Sequence, residues 1–269
     1  MNIETFFDEY TSSFSYLIWD EISKDAVVID PVLNSNAESD SVATLCIENI
    51  EKFVAEHSLK LHYCLDTHVH ADHITGAGEL KKRSPQLKTV INAHVTEIQQ
   101  LYKDYYHLSA MPTDGSQFDC LINDGDVLDA GTINIKAIHT PGHTKTCTCY
   151  KIGAFLFTGD TMFMPDFGTG RCDFPGGSAE DLYHSVMDKL YTLDDNTQIY
   201  VGHDYRPNGR ELRNQTTIGE NKKANIQLNA NTSQAQFVAW RKARDEELAP
   251  PELLQISIKM NINCGIMPH

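Results

Sequence analysis

Eight consecutive residues, Asp66-Thr67-His68-Val69-His70-Ala71-Asp72-His73, carry three imidazoles and two carboxylates. Such groups are costly to bury and add nothing to packing, so their concentration after an apolar run asks for a ligand. Further along stand His139-Thr140-Pro141-Gly142-His143, then Phe157-Thr158-Gly159-Asp160-Thr161, then Gly202-His203-Asp204. Most of these end an apolar run, and the later ones sit beside Gly or Pro. A metal ion needs this arrangement: nitrogen and oxygen donors brought from different elements and fixed at about 2 Å. Soft donors alone would indicate electron transfer, whereas His with carboxylate suits Zn, Fe(II) or Mn. The isolated histidines 57, 62, 94, 107, 184 and 269 receive no function. His139 is read as structural, with turn backbone as its partner.

The elements that must aim these donors are legible in outline. Phe14–Trp19 and Ala26–Ile29 read as paired strands bounded by Asp30-Pro31. Residues 41–57 have helical spacing, and Leu59–Leu65 is a short strand with the His-rich stretch at its C-terminal end. A helix near Gly78 stops before Pro85; Thr89–Asn92 is a strand and Val95–Tyr102 a helix. Turns at Asp124-Gly125, Ala130-Gly131 and Ile152-Gly153 separate hairpin strands. Ser178–Leu190 is a helix capped by Ser178, with Asp181 three residues on. Gln198–Val201 is a last strand, and 233–248 a surface helix opened by Ser233. The C-terminal segment from Glu252 reads as a strand and a turn. Strands and helices mixed in this way predict antiparallel or mixed sheets covered by helices.

The 269 residues are 41% hydrophobic, enough for a core, with a net charge of -15. That charge repels phosphate backbones and argues against nucleic acid as partner. The N-terminus lacks a basic region and is not read as a secretory signal. No run approaches the ~18 apolar residues of a membrane span. Seven scattered cysteines, an odd number, are read as reduced thiols in a cytoplasm. Cys147 and Cys149 are read as packed thiols on one strand face.

The order H-x-H-x-D-H, a His after Pro-Gly, a Gly-Asp and a last His resembles the metallo-β-lactamase superfamily. The resemblance implies an α+β fold, an αββα sandwich of two mixed sheets flanked by helices, with the metal at one sheet edge. It implies a single domain over 1–269 with a helical and strand extension from about 206 to 269. Within the superfamily, THVHADHITGAGEL, HTPGHTKTCTCY, FTGDTMFMPDFGTGRCDFPGG and VGHDYRPNGRE resemble the persulfide dioxygenases (sulfur dioxygenases). The stretch MPDFGTGRCDFPGG is most similar to their bacterial β-lactamase-like hydrolase branch. The likeness runs over about residues 5–265, and Arg171-Cys172-Asp173-Phe174 is what narrows it.

In that family one Fe(2+) per chain is held by two histidines and an aspartate, which position carries onto His68, His143 and Asp160. Such a facial triad leaves coordination sites open for dioxygen and a persulfide. The implied reaction oxidises glutathione persulfide, or a related small persulfide, by O2 to sulfite and thiol, in sulfide detoxification. His70, Asp72, His73 and His203 would orient ligands and waters. Asp72, His73, His203 and Arg171 carry over as catalytic, and Arg171 and Tyr205 as substrate-binding. Arg171 is expected to support the site by ion pairing, with Asp204 as partner, or to bind a substrate carboxylate. A homodimer is the family's habit. In hydrolytic relatives the second donor set binds another metal, so a Zn(2+)-dependent thioester hydrolase of glyoxalase II type is the alternative. A metal-stabilised sensor without turnover ranks third, because the open donor set is complete. One departure concerns the thiol carrier: where glutathione-using members carry an arginine after Asn-Pro, this chain has Asn225-Ile226-Gln227. Arg206 or Arg210 would have to replace it. Cys172 is read as a packed thiol whose pKa a neighbouring cation would lower.

Overall fold

The computed structural model describes residues 1–36 and 41–268. The chain forms two compact units: residues 1–122, 128–135 and from 250 onward make the first, and 123–127 with 136–249 the second.

In the first unit, β1 (Asn2–Asp8) pairs antiparallel with β2 (Ser13–Trp19), and β2 with β3 (Asp25–Ile29). Strand β1 is half-buried along its whole length, so it lacks the alternation that would have revealed it. The short strands β4 (Val32–Asn36) and β5 (Ser41–Ala43) precede helix α1 (Leu45–His57). The helical spacing read from residue 41 therefore begins four residues later. Then come β6 (Lys60–Leu65), β7 (Ile74–Thr75), α2 (Ala77–Arg83), β8 (Lys88–Asn92), α3 (Val95–Tyr106) and β9 (Cys120–Ile122). The main sheet is ordered β1-β2-β3-β6-β8-β9, and a small one β5-β4-β7. Strands β3, β6, β8 and β9 run parallel. Parallel neighbours require crossovers, which α1, α2 and α3 supply.

This parallel register places chemistry. Ile29 pairs with Leu65, and the Asp30 amide donates to the Leu65 carbonyl at 3.0 Å. Asp30 thus follows β3 where the His-rich stretch follows β6, at the carboxyl ends of neighbouring strands.

The second six-stranded sheet is ordered β10-β11-β12-β13-β14-β15. Its strands are β10 (Val127–Ala130), β11 (Ile133–His139), β12 (Thr148–Ile152), β13 (Phe155–Phe157), β14 (Gln198–Tyr200) and β15 (Gln215–Thr217). From β11 onward pairing is antiparallel except β13 with β14, so both sheets are mixed, as expected. Helix α4 (Ala179–His184) starts at the expected cap, Ser178 Oγ accepting from the Asp181 amide at 3.0 Å. It continues as a π turn over Ser185–Lys189 and a 3-10 turn over Leu190–Thr192. Helix α5 (Ile218–Ala224) precedes α6 (Gln234–Glu246), which Ser233 opens with a capping box.

The C-terminal strand expected after Glu252 is instead helix α7 (Leu254–Asn261), in the first unit. Ile256-Ser257-Ile258 mimics a period of two. Burial follows the helical period instead: Leu253, Ser257, Met260 and Asn261, with Ile258 and Ile262, are covered, while Ile256 is not fully buried.

Candidate metal centre

In the first unit, the loop after β6 is buried: His68, His70 and His73 are each about 2% exposed or less. Ring centroids of His68 and His70 lie 4.1 Å apart, as do those of His70 and His73. Ligating atoms of His70, Asp72 and His73 all lie within 4.8 Å of one another, and so do those of Asp30, Asp66 and His70. Thr67 organises the loop. Its hydroxyl donates to Asp30 Oδ2 at 2.7 Å, and its amide donates to Asp30 Oδ1 at 2.7 Å. Having given away its one proton, Thr67 Oγ1 accepts from His68 Nδ1 at 3.0 Å. That fixes the His68 tautomer with Nε2 as the lone-pair nitrogen.

His70 is held through its other ring nitrogen. Its Nε2 faces Asp30 Oδ1 at 3.1 Å, while its Nδ1 is buried with no hydrogen-bond partner among the described residues. Burial alone would depress the imidazole, but the charge and hydrogen bond of Asp30 raise it to about 9. Burial also raises the Asp66 carboxyl, to about 7, with Asp30 adding to the effect. His73 Nδ1 lies 3.2 Å from Asp72 Oδ2 and 3.3 Å from Ser13 Oγ.

In the second unit, the parallel pair sets the spacing. Phe157 pairs with Tyr200, and the ladder continues through Thr158 N to Tyr200 O at 3.0 Å and Gly202 N to Gly159 O at 3.2 Å. Asp160 and His203 each follow three residues beyond this shared rung. Asp160 Oδ1 lies 3.3 Å from His203 Nε2, and its Oδ2 3.4 Å from His143 Nε2. Asp160 Oδ1 is buried and makes no well-formed hydrogen bond among the described residues. His143 Nδ1 donates to the Arg171 carbonyl at 2.7 Å, again leaving Nε2 as the lone-pair nitrogen. Gly170 permits this closeness, since a Cβ there would collide with the Asp160 carbonyl and lie 3.0 Å from His143 Nδ1. Imidazoles of fixed tautomer, ionisable carboxylates and unsatisfied buried donor atoms fit a divalent metal ion.

The surroundings correct several expectations. Arg171 does not pair with Asp204. Its guanidinium grips Asp173 through two contacts of 2.6 Å and donates to the carbonyls of Ala249 and Leu248. Asp204 is held by Arg210, with bonds of 2.7 and 2.8 Å, and Arg210 also grips Asp166. Cys172 is packed as expected, but burial pushes its thiol up and outweighs the Arg241 cation, so the expected lowering does not occur. Cys147 and Cys149 are buried, unbridged thiols, also pushed up by burial. Cys147 precedes β12 instead of sharing its face, and the Thr144 amide donates to its sulfur. His139 Nε2 donates to the Lys145 carbonyl at 2.9 Å, the structural role expected of it.

Tyr205 is 45% exposed and stacks on His203 with centroids 5.5 Å apart at 8°. Gln227 turns inward: its Oε1 accepts from the Thr169 amide and hydroxyl, and its Nε2 donates to the Phe167 carbonyl. Asp30, Thr67 and Asp166 received no role from the sequence, and Arg210, named there as a stand-in for the missing substrate-binding guanidinium, holds Asp204 and Asp166 instead. A non-glycine residue in the left-handed region at a strand end, as Asp30 is with φ 48°, leaves no compositional trace.

Comparison with known proteins agrees with this geometry. The sequence pattern of the metallo-β-lactamase superfamily matches residues 9–203, and the chain belongs to that superfamily. Its homologues there include the persulfide dioxygenases. It is 34% identical to the mitochondrial persulfide dioxygenase ETHE1 of Bos taurus over 97% of this chain and 87% of that one. The crystal structure of ETHE1 from Myxococcus xanthus superposes with a TM-score of 0.80 at 32% identity, covering 99% of this chain and 100% of that one. The fold is thus metallo-β-lactamase-like, α+β, with two sheets flanked by helices. The chain is also 42% identical to the β-lactamase hydrolase-like protein of Xylella fastidiosa over 99% of its own length, and spans 61% of that relative. No described helix is long and apolar enough to cross a membrane.

Proposed function

We propose that the chain oxidises a low-molecular-weight persulfide with dioxygen, at a single Fe(2+) held by His68, His143 and Asp160. The balanced reaction is RSSH + O2 + H2O giving RSH, sulfite and two protons. The outer sulfur loses four electrons and dioxygen takes up four. Iron supplies the redox chemistry that zinc lacks. The side chains supply orientation. Thr67 and the Arg171 carbonyl hold protons on the Nδ1 atoms of His68 and His143, so both present Nε2. His203 sits against Asp160 and aligns the ring of Tyr205, whose exposed face is suited to the thiol carrier.

One observation carries the proposal beyond the superfamily. The segment most like the persulfide dioxygenases, Arg171-Cys172-Asp173-Phe174, is the one whose carbonyl fixes His143 and whose Phe174 ring meets the His143 ring edge-on at 5.3 Å. Its arginine is absorbed by Asp173 and two carbonyls, so we assign it support of this segment ahead of substrate binding. Gln227 and Arg210 are likewise turned to internal partners, so of the two arginines that could replace the missing guanidinium, Arg210 is engaged elsewhere.

A second reading, a dinuclear zinc thioester hydrolase, is favoured by the proximity of His70, Asp72 and His73. Protein purified anaerobically should contain one iron per chain. It should consume oxygen with glutathione persulfide and with smaller persulfides, releasing sulfite. Two zinc ions, no oxygen uptake and cleavage of S-lactoylglutathione would establish the hydrolase instead.

A further inference from the structure

We propose that Asn261, at the end of α7, is a positioning residue for the His-rich loop, through hydrogen bonds to that loop's backbone. The assignment rests on the reading that this loop binds metal. Asn261 is 2% exposed and lies 191 residues beyond His70. Its amide nitrogen donates to the carbonyls of His70 at 2.8 Å and His73 at 2.7 Å. Its amide oxygen accepts from the Thr75 N–H at 2.9 Å. One side chain therefore satisfies three buried backbone groups on both sides of His73. Backbone groups that face away from a ladder must be satisfied by water or side chains, and here Asn261 serves the His70 and His73 carbonyls of the loop and the Thr75 amide at the end of β7.

The bond to Thr75 reaches further. With its amide held, Thr75 donates its hydroxyl to Asp66 Oδ1 at 2.7 Å and accepts from the Ala77 amide at 3.2 Å. Both ends of the loop are thereby fixed from one point. The support is itself anchored. Gln99 of α3, fully buried, donates to the Ile262 carbonyl at 2.8 Å. Gly265, at φ 74°, lets the turn after α7 press on the loop, where a Cβ would collide with the Thr75 carbonyl. Asparagine is the fitting residue because it offers two donors and an acceptor on a short stem.

The test uses Asn261→Asp, which keeps the shape but turns an oxygen toward two carbonyls. Cobalt(II) is the probe, read by its absorption and by titration. The expected result is a fall of about 10- to 100-fold in cobalt affinity, with an altered spectrum. Hydrogen exchange on metal-free protein should show faster exchange over residues 70–77 only. Ile258→Val, on the same helix and buried in the core, should lower Tm yet leave cobalt affinity within about twofold. The proposal is overturned if Asn261→Asp exchanges and binds like the parent, or if Ile258→Val weakens cobalt as much. A parent protein that binds no cobalt while Asn261→Asp still loosens residues 70–77 would refute the metal reading and leave the positioning role supported.

Discussion

At the scale of single residues, the site is a problem of proton placement. An imidazole ligates through one nitrogen only when the other holds the proton, so whatever accepts that proton decides the geometry. For His143 the acceptor is a carbonyl, which no side-chain substitution removes. For His68 it is Thr67 Oγ1, which also donates to Asp30. Thr67→Val keeps the shape and removes both bonds. Metal affinity should fall by about 10- to 100-fold. Stability should fall by about 1–3 kcal/mol, because Asp30 loses a buried partner. Titration with metal and urea unfolding check the two effects separately.

At the scale of elements, the connections between strand ends carry the load. Arg210 ties the segment after β14 to Asp166 by gripping Asp204, whose side chain is wholly buried. Arg210→Ala should cost about 3 kcal/mol, since it leaves the buried Asp204 carboxylate without its counter-ion and, among the described residues, with only the Arg206 and Arg213 amides as partners. Arg210→Lys should recover less than half, because an ammonium cannot serve both aspartates in a fork. Denaturant midpoints decide this. Asp25, at the start of β3, is a second such tie. It accepts from His62 at 2.8 Å and from the Thr132 amide at 2.9 Å. These bonds, that of His62 foremost, hold its carboxyl well below the ordinary range. A depressed folded-state pKa contributes stability that is present above the unfolded value, near about 4, and lost as pH falls toward the folded value. Tm should therefore drop between about pH 4 and more acid conditions, and Asp25→Asn should flatten that acid limb.

Most of these elements could be read in advance because their burial follows one period: α6 with its Ser233 cap, or the apolar run of β3. The exceptions have physical causes. α7 hides a helical face behind alternating isoleucines, and β1 has no buried side to betray it. The candidate ligands were legible because clustered imidazoles have no packing use. Their supports, Asp30, Thr67 and Asn261, were not. Each is an ordinary polar residue until the strand register and a partner up to 191 residues away are known.

At the scale of the whole molecule, a metal bound only by the folded chain is a term in its stability. At a free-metal concentration about 100 times Kd it adds about 2.7 kcal/mol. Chelation should lower Tm by about 5–10 °C, and readdition of metal should restore it. An unchanged Tm after complete metal removal would show that folding and binding are uncoupled.

The pairing of Phe157 with Tyr200 makes the route to Asp160 and to His203 a matter of counting. Two rulers start from the same zero mark, and each reads three at its functional group. Inserting a single residue into Thr158-Gly159 or Val201-Gly202 would leave composition almost untouched, yet it would carry the donor past its mark and turn it aside. Length variation among proteins built this way should therefore collect in the turns beyond His203 and be absent from these two steps.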